Sequence, residues 1–573
     1  MVRLALPLGT MLILALLPFR ADAASSVSVS DKIVFAAAAG EAQSTIVPPG
    51  VKSECPAGRL FVSNDFSVKR TPIATGAVLG RDLDKLAAPD MLRATFGPMP
   101  NAQYFSSGTD HDLVALPNGD LFLVDMTSSK APIVPKPLWF DDTYRDDEKA
   151  GDFGPGARTA VAVWKSVDCG ATFNFASLIE TANIGDGSCA GPQRADWNKE
   201  AHHPLDMGGS DGIHARVSTK GDRIAIINQC VGYKPDPKVR DKFVLTKQRL
   251  NESVVLESVD GGLTWRYLGV FPKAEWRRSF VDKPNLVAFA VGTGIAFGKR
   301  QPGKDELIYD ADGAFVPDLV RGSVDTPEAK ELNATYGNLW AHPILTRTPH
   351  VDEFILAVPS QIKRASGAMN GGYRVFLFNP DTKKFSELPP VAPEIDGVGN
   401  YIMHLAAIDI GQGPVMLYWS EFDIASKTGK VRGRLILNGA EASADFVVSR
   451  VNGQDSTWAL VPNKHYWYGD YQTAWGYEDV LPAGSKSAER TFHYFPMWIE
   501  ANRTVGVAQL TIVVPAQNVA VGAFSGAGAP QILTIPAPAL PAQIRKIADE
   551  PDEIVNADKD DEPEDDDENK DAH

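Results

Sequence analysis

Two eight-residue runs constrain this chain more than any other feature. Ser258-Val259-Asp260-Gly261-Gly262-Leu263-Thr264-Trp265 and Ser166-Val167-Asp168-Cys169-Gly170-Ala171-Thr172-Phe173 share the spacing S-x-D-x-G-x-T-[W/F], and each follows an apolar run, Val254 to Leu256 and Val161 to Trp164. A short carboxylate at the third position folds back to accept N–H groups of its own turn. The glycine two places on takes a left-handed backbone without steric cost. The closing aromatic starts a returning strand and buries its ring. The runs therefore predict two copies of one hairpin and a repetitive, all-β chain.

A second, coarser unit recurs: a polar lead-in, a β-like run, a glycine turn, then a more apolar strand. Asp110-His111-Asp112-Leu113-Val114-Ala115-Leu116 turns at Pro117-Asn118-Gly119-Asp120 into Leu121-Phe122-Leu123-Val124. Asp211-Gly212-Ile213-His214-Ala215-Arg216-Val217 turns at Lys220-Gly221-Asp222 into Arg223-Ile224-Ala225-Ile226-Ile227. Weaker copies begin at Trp340-Ala341-His342, at Met403-His404 and at Gly469-Asp470-Tyr471-Gln472. Gly58 to Val62 followed by Ser63-Asn64-Asp65 reads as a degenerate strand and turn of the same kind. Frequent Gly (49) and Pro (41) with 9% aromatic residues suit many short strands and turns.

The S-x-D-x-G-x-T-[W/F] runs resemble the Asp-box, or bacterial neuraminidase repeat, of sialidases and sialidase-like β-propellers. That resemblance implies a single β-propeller of four-stranded antiparallel blades. Five lead-in units plus the N-terminal strands give six blades as the expected count, with seven also compatible. It implies a structural role on the outer turns for Ser166, Asp168, Gly170, Thr172, Phe173, Ser258, Asp260, Gly262, Thr264 and Trp265. The Gly469-Asp470-Tyr471-Gln472 opening and the Phe492 to Trp498 run resemble the closing blade of such proteins.

The expected organisation is a signal peptide at 1–23, an N-terminal segment with a partial blade at 24–98, and the propeller at 99–524. An Ala/Pro-rich linker at 525–548 and a disordered acidic tail at 549–573 follow. The signal rests on Arg3, the apolar stretch Leu4 to Phe19 and the small-x-small site Ala21-Asp22-Ala23, and it implies a secreted or periplasmic protein. No later stretch is long and apolar enough to span a bilayer. The net charge of -16 is concentrated in the tail, where fourteen Asp or Glu face two Lys, so the body carries only about -4. No basic stripe supports nucleic-acid binding. The tail's carboxylates suit solvation or loose calcium binding. The insertions Ser128 to Pro155, Thr181 to Gly209 and Asp310 to Asn338 are the expected rim of a binding face.

Four cysteines in an exported chain suggest two disulfides, with three pairings open. The single excursion between Cys169 and Cys189 favours that pair, leaving Cys55 with Cys230.

Function is expected where the lead-ins converge on the propeller axis, which selects Asp110, His111, Asp211, His214, His342, His404 and Asp470. His111, His214, His342 and His404 are the ligand-binding candidates, and His214, His342 and His404 are in register for zinc, copper or iron. No cofactor is otherwise indicated. The sialidase resemblance implies a carboxylate-binding arginine in an Arg-Ile-Pro motif, whose nearest match is Arg70-Thr71-Pro72. It also implies an Asp acid and a Tyr–acid nucleophile pair, for which Asp110, Asp211, Asp470, Tyr471, Tyr477 and Glu478 are the candidates. The reading reached is a propeller that binds an extracellular glycan or protein without sialidase chemistry. Its alternatives are a sialidase-like glycoside hydrolase and a metal-dependent propeller enzyme using the histidines. If the S-x-D-x-G-x-T runs are structural, Asp260→Ala lowers unfolding free energy by about 1–3 kcal/mol and leaves ligand affinity unchanged. Lost affinity at unchanged stability contradicts that assignment.

Overall fold

The computed structural model describes residues 26–515 apart from internal stretches, of which 64–77, 130–157, 181–207, 317–342 and 461–473 are the longest; several strands, including much of Gly208–Val217, are described by backbone alone. The expected signal, linker and acidic tail lie outside the described residues. The described chain is all-β, with a single 3₁₀ turn at Leu83–Lys85.

Seven antiparallel meanders follow one another among the described residues. The first is Gln43–Val47, Arg59–Ser63, Leu79–Asp82 and Leu92–Arg93. The second is Phe105–Ala115, Leu121–Ser129, Arg158–Ser166 and Thr172–Glu180. The third is Gly208–Val217, Ile224–Pro235, Glu252–Ser258 and Arg266–Pro272. The fourth is Phe280–Lys283, Leu286–Val291, Gly294–Arg300 and Leu307–Phe315. The fifth is Ile344–Arg347, Phe354–Lys363, Met369–Asn379 and Lys384–Val391. The sixth is built on Asn400–Ile408, Val415–Asp423 and Thr428–Leu437. The last is Trp475–Glu478, Glu489–Phe495 and Leu510–Pro515, with Ser26–Val29 from the other end of the chain as its outer strand.

The fourth meander is the one the sequence did not disclose. Leu286–Val291 and Gly294–Arg300 are apolar runs with no polar lead-in and no S-x-D-x-G-x-T turn, so they lack both markers of the repeat. Asp310, expected to open a rim insertion, lies within the strand Leu307–Phe315. Ser63, read as the start of a degenerate turn, is the last residue of a second strand. A turn of the repeated kind joins third to fourth strands, at the other end of a meander.

Successive sheets bury their faces against each other. The first strand of each of the first five sheets borders the first strand of the next, and Gln43–Val47 also borders Trp475–Glu478. Phe61, Leu123 and Trp164 share a core between first and second sheets. Val114, Phe122 and Ile226 do so between second and third, and Met416, Tyr418, Phe492 and Leu510 between sixth and last. Burying each such side chain is worth about 1.5–3 kcal/mol, so the sheet-to-sheet faces carry the stability. The N-terminal strand is pinned at both partners: Lys32 Nζ lies 2.6 Å from Glu500 Oε1, and Gly453 N–H donates to Asp31 Oδ1 at 2.7 Å.

The two repeated turns have the expected hydrogen bonds. Asp168 Oδ1 accepts from Ser166 Oγ (2.8 Å) and Thr172 N–H (2.9 Å), and Ser166 Oγ accepts from Gly170 N–H at 2.9 Å. Asp260 Oδ1 accepts from Ser258 Oγ (2.8 Å), Leu263 N–H (3.1 Å) and Thr264 N–H (2.9 Å), and Oδ2 accepts from the Thr264 hydroxyl. The hydroxyl and N–H of Thr264 hold the Asp260 carboxyl at a pKa of about 2, against an ordinary 3.8.

Each turn is also a joint between sheets. Gly170 (φ +75°) lies so close to Phe61 of the first sheet that a Cβ there would sit 2.1 Å from Cε1, and Gly262 (φ +85°) meets Phe122 of the second sheet in the same way at 2.7 Å. The Trp265 indole N–H donates to Ser177 Oγ at 3.0 Å, and that hydroxyl donates to Gly262 O at 2.6 Å. The first turn is tied instead by a disulfide. Cys169 pairs with Cys55, not with Cys189, because Cys169 faces back onto the turn between the first two strands of the preceding sheet. Arg59 Nη1 of that sheet donates to Cys169 O at 3.2 Å. The expected partnership of Cys55 with Cys230 falls with it, and Cys189 lies outside the described residues.

Ser258 is buried and Asp260 exposed, which orders the two substitutions. Ser258→Ala leaves the buried Gly262 N–H without its acceptor and costs about 1–3 kcal/mol, whereas the about 1–3 kcal/mol expected from the sequence for Asp260→Ala is lowered to about 1 kcal/mol or below because the carboxylate is solvated. Because Asp260 has a folded pKa of about 2 below its ordinary 3.8, its contribution is complete above the ordinary value and disappears as pH falls through about 2. Urea midpoints of the two variants, and of Asp260→Ala between these pH values, check both statements. Replacing Cys55 and Cys169 together by Ala is expected to lower unfolding free energy by about 2–4 kcal/mol, and a non-reducing peptide map joins the Cys55 peptide to the Cys169 peptide.

Candidate functional site

In a four-strand meander the first strand runs away from the end at which the third-to-fourth turns do not lie. The S-x-D-x-G-x-T turns therefore occupy one end of the sheets, and the starts of the first strands occupy the other. Three first strands are irregular within their length. Phe105–Ala115 shifts register between Ser107 and His111, Gly208–Val217 between Asp211 and Ile213, and Asn400–Ile408 between Met403 and Ala406. Bulges of this kind re-aim side chains and are frequent beside functional sites. Asp110 lies inside the first irregularity, Asp211 at the second and His404 in the third.

His111 is buried, and its Nε2 lies 2.6 Å from Ser63 Oγ of the first sheet. Its cross-strand neighbour is Asp125, also buried, on the second strand. Ser63 Oγ is 3.4 Å from Gln43 O, so the cluster spans the seam between the first two sheets. His404 is buried in the sixth sheet with φ +51°, a left-handed conformation that is uncommon for a residue other than glycine and clusters at functional sites. Asp125 was not singled out in the sequence, and Ser63 only as the start of a degenerate turn. The available signal was a polar residue ending an otherwise apolar strand, Arg59–Ser63, and another interrupting Leu121–Ser129.

The remaining candidates divide. Asp211 and His214 are placed by backbone, opposite Gln229 and Ile227, with Asp110 likewise on a strand. Arg70, His342, Asp470 and Tyr471 lie outside the described residues. Among the described residues no group of three His, Cys, Asp or Glu is arranged to hold a metal ion.

Tyr477 and Glu478 do not form a nucleophile pair. They are consecutive on Trp475–Glu478 and so project to opposite faces. Glu478 makes a two-pronged ion pair with Arg490. Tyr477 stacks at 4.8 Å on His493, and burial, with the charge of Asp479, pushes its hydroxyl up to about 12. His493 is held by Asp479 Oδ1 at 3.0 Å and Thr511 Oγ1 at 3.1 Å.

Trp475, first residue of the same strand, is half-buried and packs against the apolar cluster shared by the second and third sheets.

No family model and no curated protein matches the chain. Solved structures similar to it include an α-L-arabinofuranosidase from Fusarium graminearum in complex with an iminosugar inhibitor, at 10% identity over 86% of this chain and 99% of that one, TM-score 0.32. They also include the NanB sialidase from Streptococcus pneumoniae, at 9% identity over 81% and 84%, TM-score 0.31. A third is a Penicillium chrysogenum α-L-arabinanase complexed with arabinobiose, at 12% identity over 72% and 94%, TM-score 0.25. Likenesses this distant assign no chemistry to the chain.

Proposed function

We propose that the chain is an exported, seven-bladed propeller that binds a glycan at the end of the sheets opposite the S-x-D-x-G-x-T turns. The meander order and the contacts between successive first strands support the ring, with the N-terminal strand closing its last blade. The Cys55–Cys169 disulfide suits an oxidising compartment. One observation carries the ligand assignment. The polar groups of the turns are consumed within the turns, whereas register breaks and buried hydrogen-bonding side chains, His111, Ser63 and His404, lie on first and second strands away from those turns. Such an end offers a concave surface with a few placed polar groups, the usual form of a small-ligand site. Binding is preferred to hydrolysis because Glu478, the candidate acidic partner of a nucleophilic tyrosine, is held in an ion pair by Arg490.

The test is a glycan array carrying sialosides, arabino-oligosaccharides and β-glucans, probed with the full mature chain, together with a fluorogenic sialoside. Binding of at least one class without fluorophore release is expected. A blank array removes the glycan reading. Release that is abolished by Arg70→Ala replaces it with the hydrolase.

A further inference from the structure

Trp475 belongs to the innermost strand of the last sheet, yet it touches the apolar cluster formed by Val114, Leu116, Phe122 and Ile226 of the second and third sheets. Between them along the ring stands the first sheet, whose strand Gln43–Val47 borders both Trp475–Glu478 and Phe105–Ala115. A side chain on the last sheet reaches the second only by passing inside that strand. The indole therefore lies within the ring, across the axial channel.

Its height in the channel follows from the registers. Trp475 is opposite Phe495, midway along the rung formed by Glu489–Phe495 and Met497–Glu500. His111 is opposite Asp125, midway along Leu121–Ser129. Both residues thus stand opposite the middle of their neighbouring strands. Trp475 is also only half-buried, whereas Trp164, Trp419 and Trp498 are fully buried. A flat, rigid aromatic that is only partly covered suits stacking on a ligand of matching flatness.

Resting on the glycan reading above, we infer that Trp475 is the floor of the site and stacks on the C–H face of one sugar ring, leaving that ring's hydroxyls directed at the irregular strand starts of Phe105–Ala115, Gly208–Val217 and Asn400–Ile408. The site then takes a chain end or a single ring rather than the flank of a long polymer, because the indole closes the channel beneath it.

The experiment oxidises the folded wild-type chain with N-bromosuccinimide, with and without 3′-sialyllactose or arabinobiose, and maps each tryptophan by peptide mass spectrometry. Trp475 oxidation is expected to slow about fivefold or more with a bound sugar, while Trp265, equally half-buried but on an outer turn, keeps its rate. In parallel, Trp475→Ala is expected to weaken binding about tenfold, the equivalent of about 1.4 kcal/mol, with Trp475→Phe between it and wild type at matched melting temperature. A sugar that binds without shielding Trp475 overturns this inference alone. If neither sugar binds or shields, the inference is abandoned, and a blank array shows that the glycan reading failed with it.

Discussion

The joint on which the architecture depends is the contact between a left-handed glycine and the aromatic ring of the preceding sheet. Gly170 on Phe61 and Gly262 on Phe122 leave no room for a Cβ, and both glycines have φ values that L side chains rarely adopt. Steric and backbone demands coincide at one residue, so neither position tolerates a substitute without movement of the neighbouring sheet. The carboxylate hydrogen bonds of the same turns fix the curl that presents the glycine. In the first turn the adjoining Cys169 adds a covalent tie to the same neighbour.

Because the cores lie between sheets, no meander has a core of its own large enough to stand alone. Stability accrues as each sheet covers its predecessor, and the remaining open face is that of the first. Leu60 of that face is covered by Phe495 of the last sheet and by Phe35 and Val505 of a short adjoining sheet of Ile33–Phe35, Thr504–Val507 and Met497–Glu500. Recruitment of Ser26–Val29 as the outer strand joins the chain's two ends in one sheet. The largely enclosed Lys32–Glu500 pair anchors the chain just beyond that strand, with the Trp498 indole N–H donating to the same carboxylate at 2.9 Å. An ion pair this enclosed gains from the extra donor, since an isolated buried charge is costly.

With one end of the sheets committed to these joints, the other is available for recognition. The register breaks there interrupt hydrogen-bonded pairing on three first strands, a local cost that a purely structural barrel has no need to bear. The buried His404 with its left-handed backbone adds a second such cost. Both costs fall on first strands and not on the S-x-D-x-G-x-T turns, which sets the proposed ligand face apart from the joints between sheets.

The sequence by itself determined what is local. A carboxylate, a glycine and an aromatic at fixed spacing dictate a turn, and both predicted turns form with the expected donors and acceptors. Alternation of polar lead-in and apolar run likewise located first and second strands at His111, Ile224 and Met416. What depends on neighbours distant in the chain was decided only by tertiary structure. The Phe280–Phe315 sheet carries no marker because it is recognised by the faces it covers. The Cys55–Cys169 pairing joins positions 114 residues apart, where loop length offers no guide. Ser63 meets His111, and Trp475 meets the second sheet, because the packing of successive sheets brings their first strands side by side. Spacing encodes a turn since its hydrogen bonds are made within eight residues; it cannot encode a contact whose partner is chosen by the packing of whole sheets.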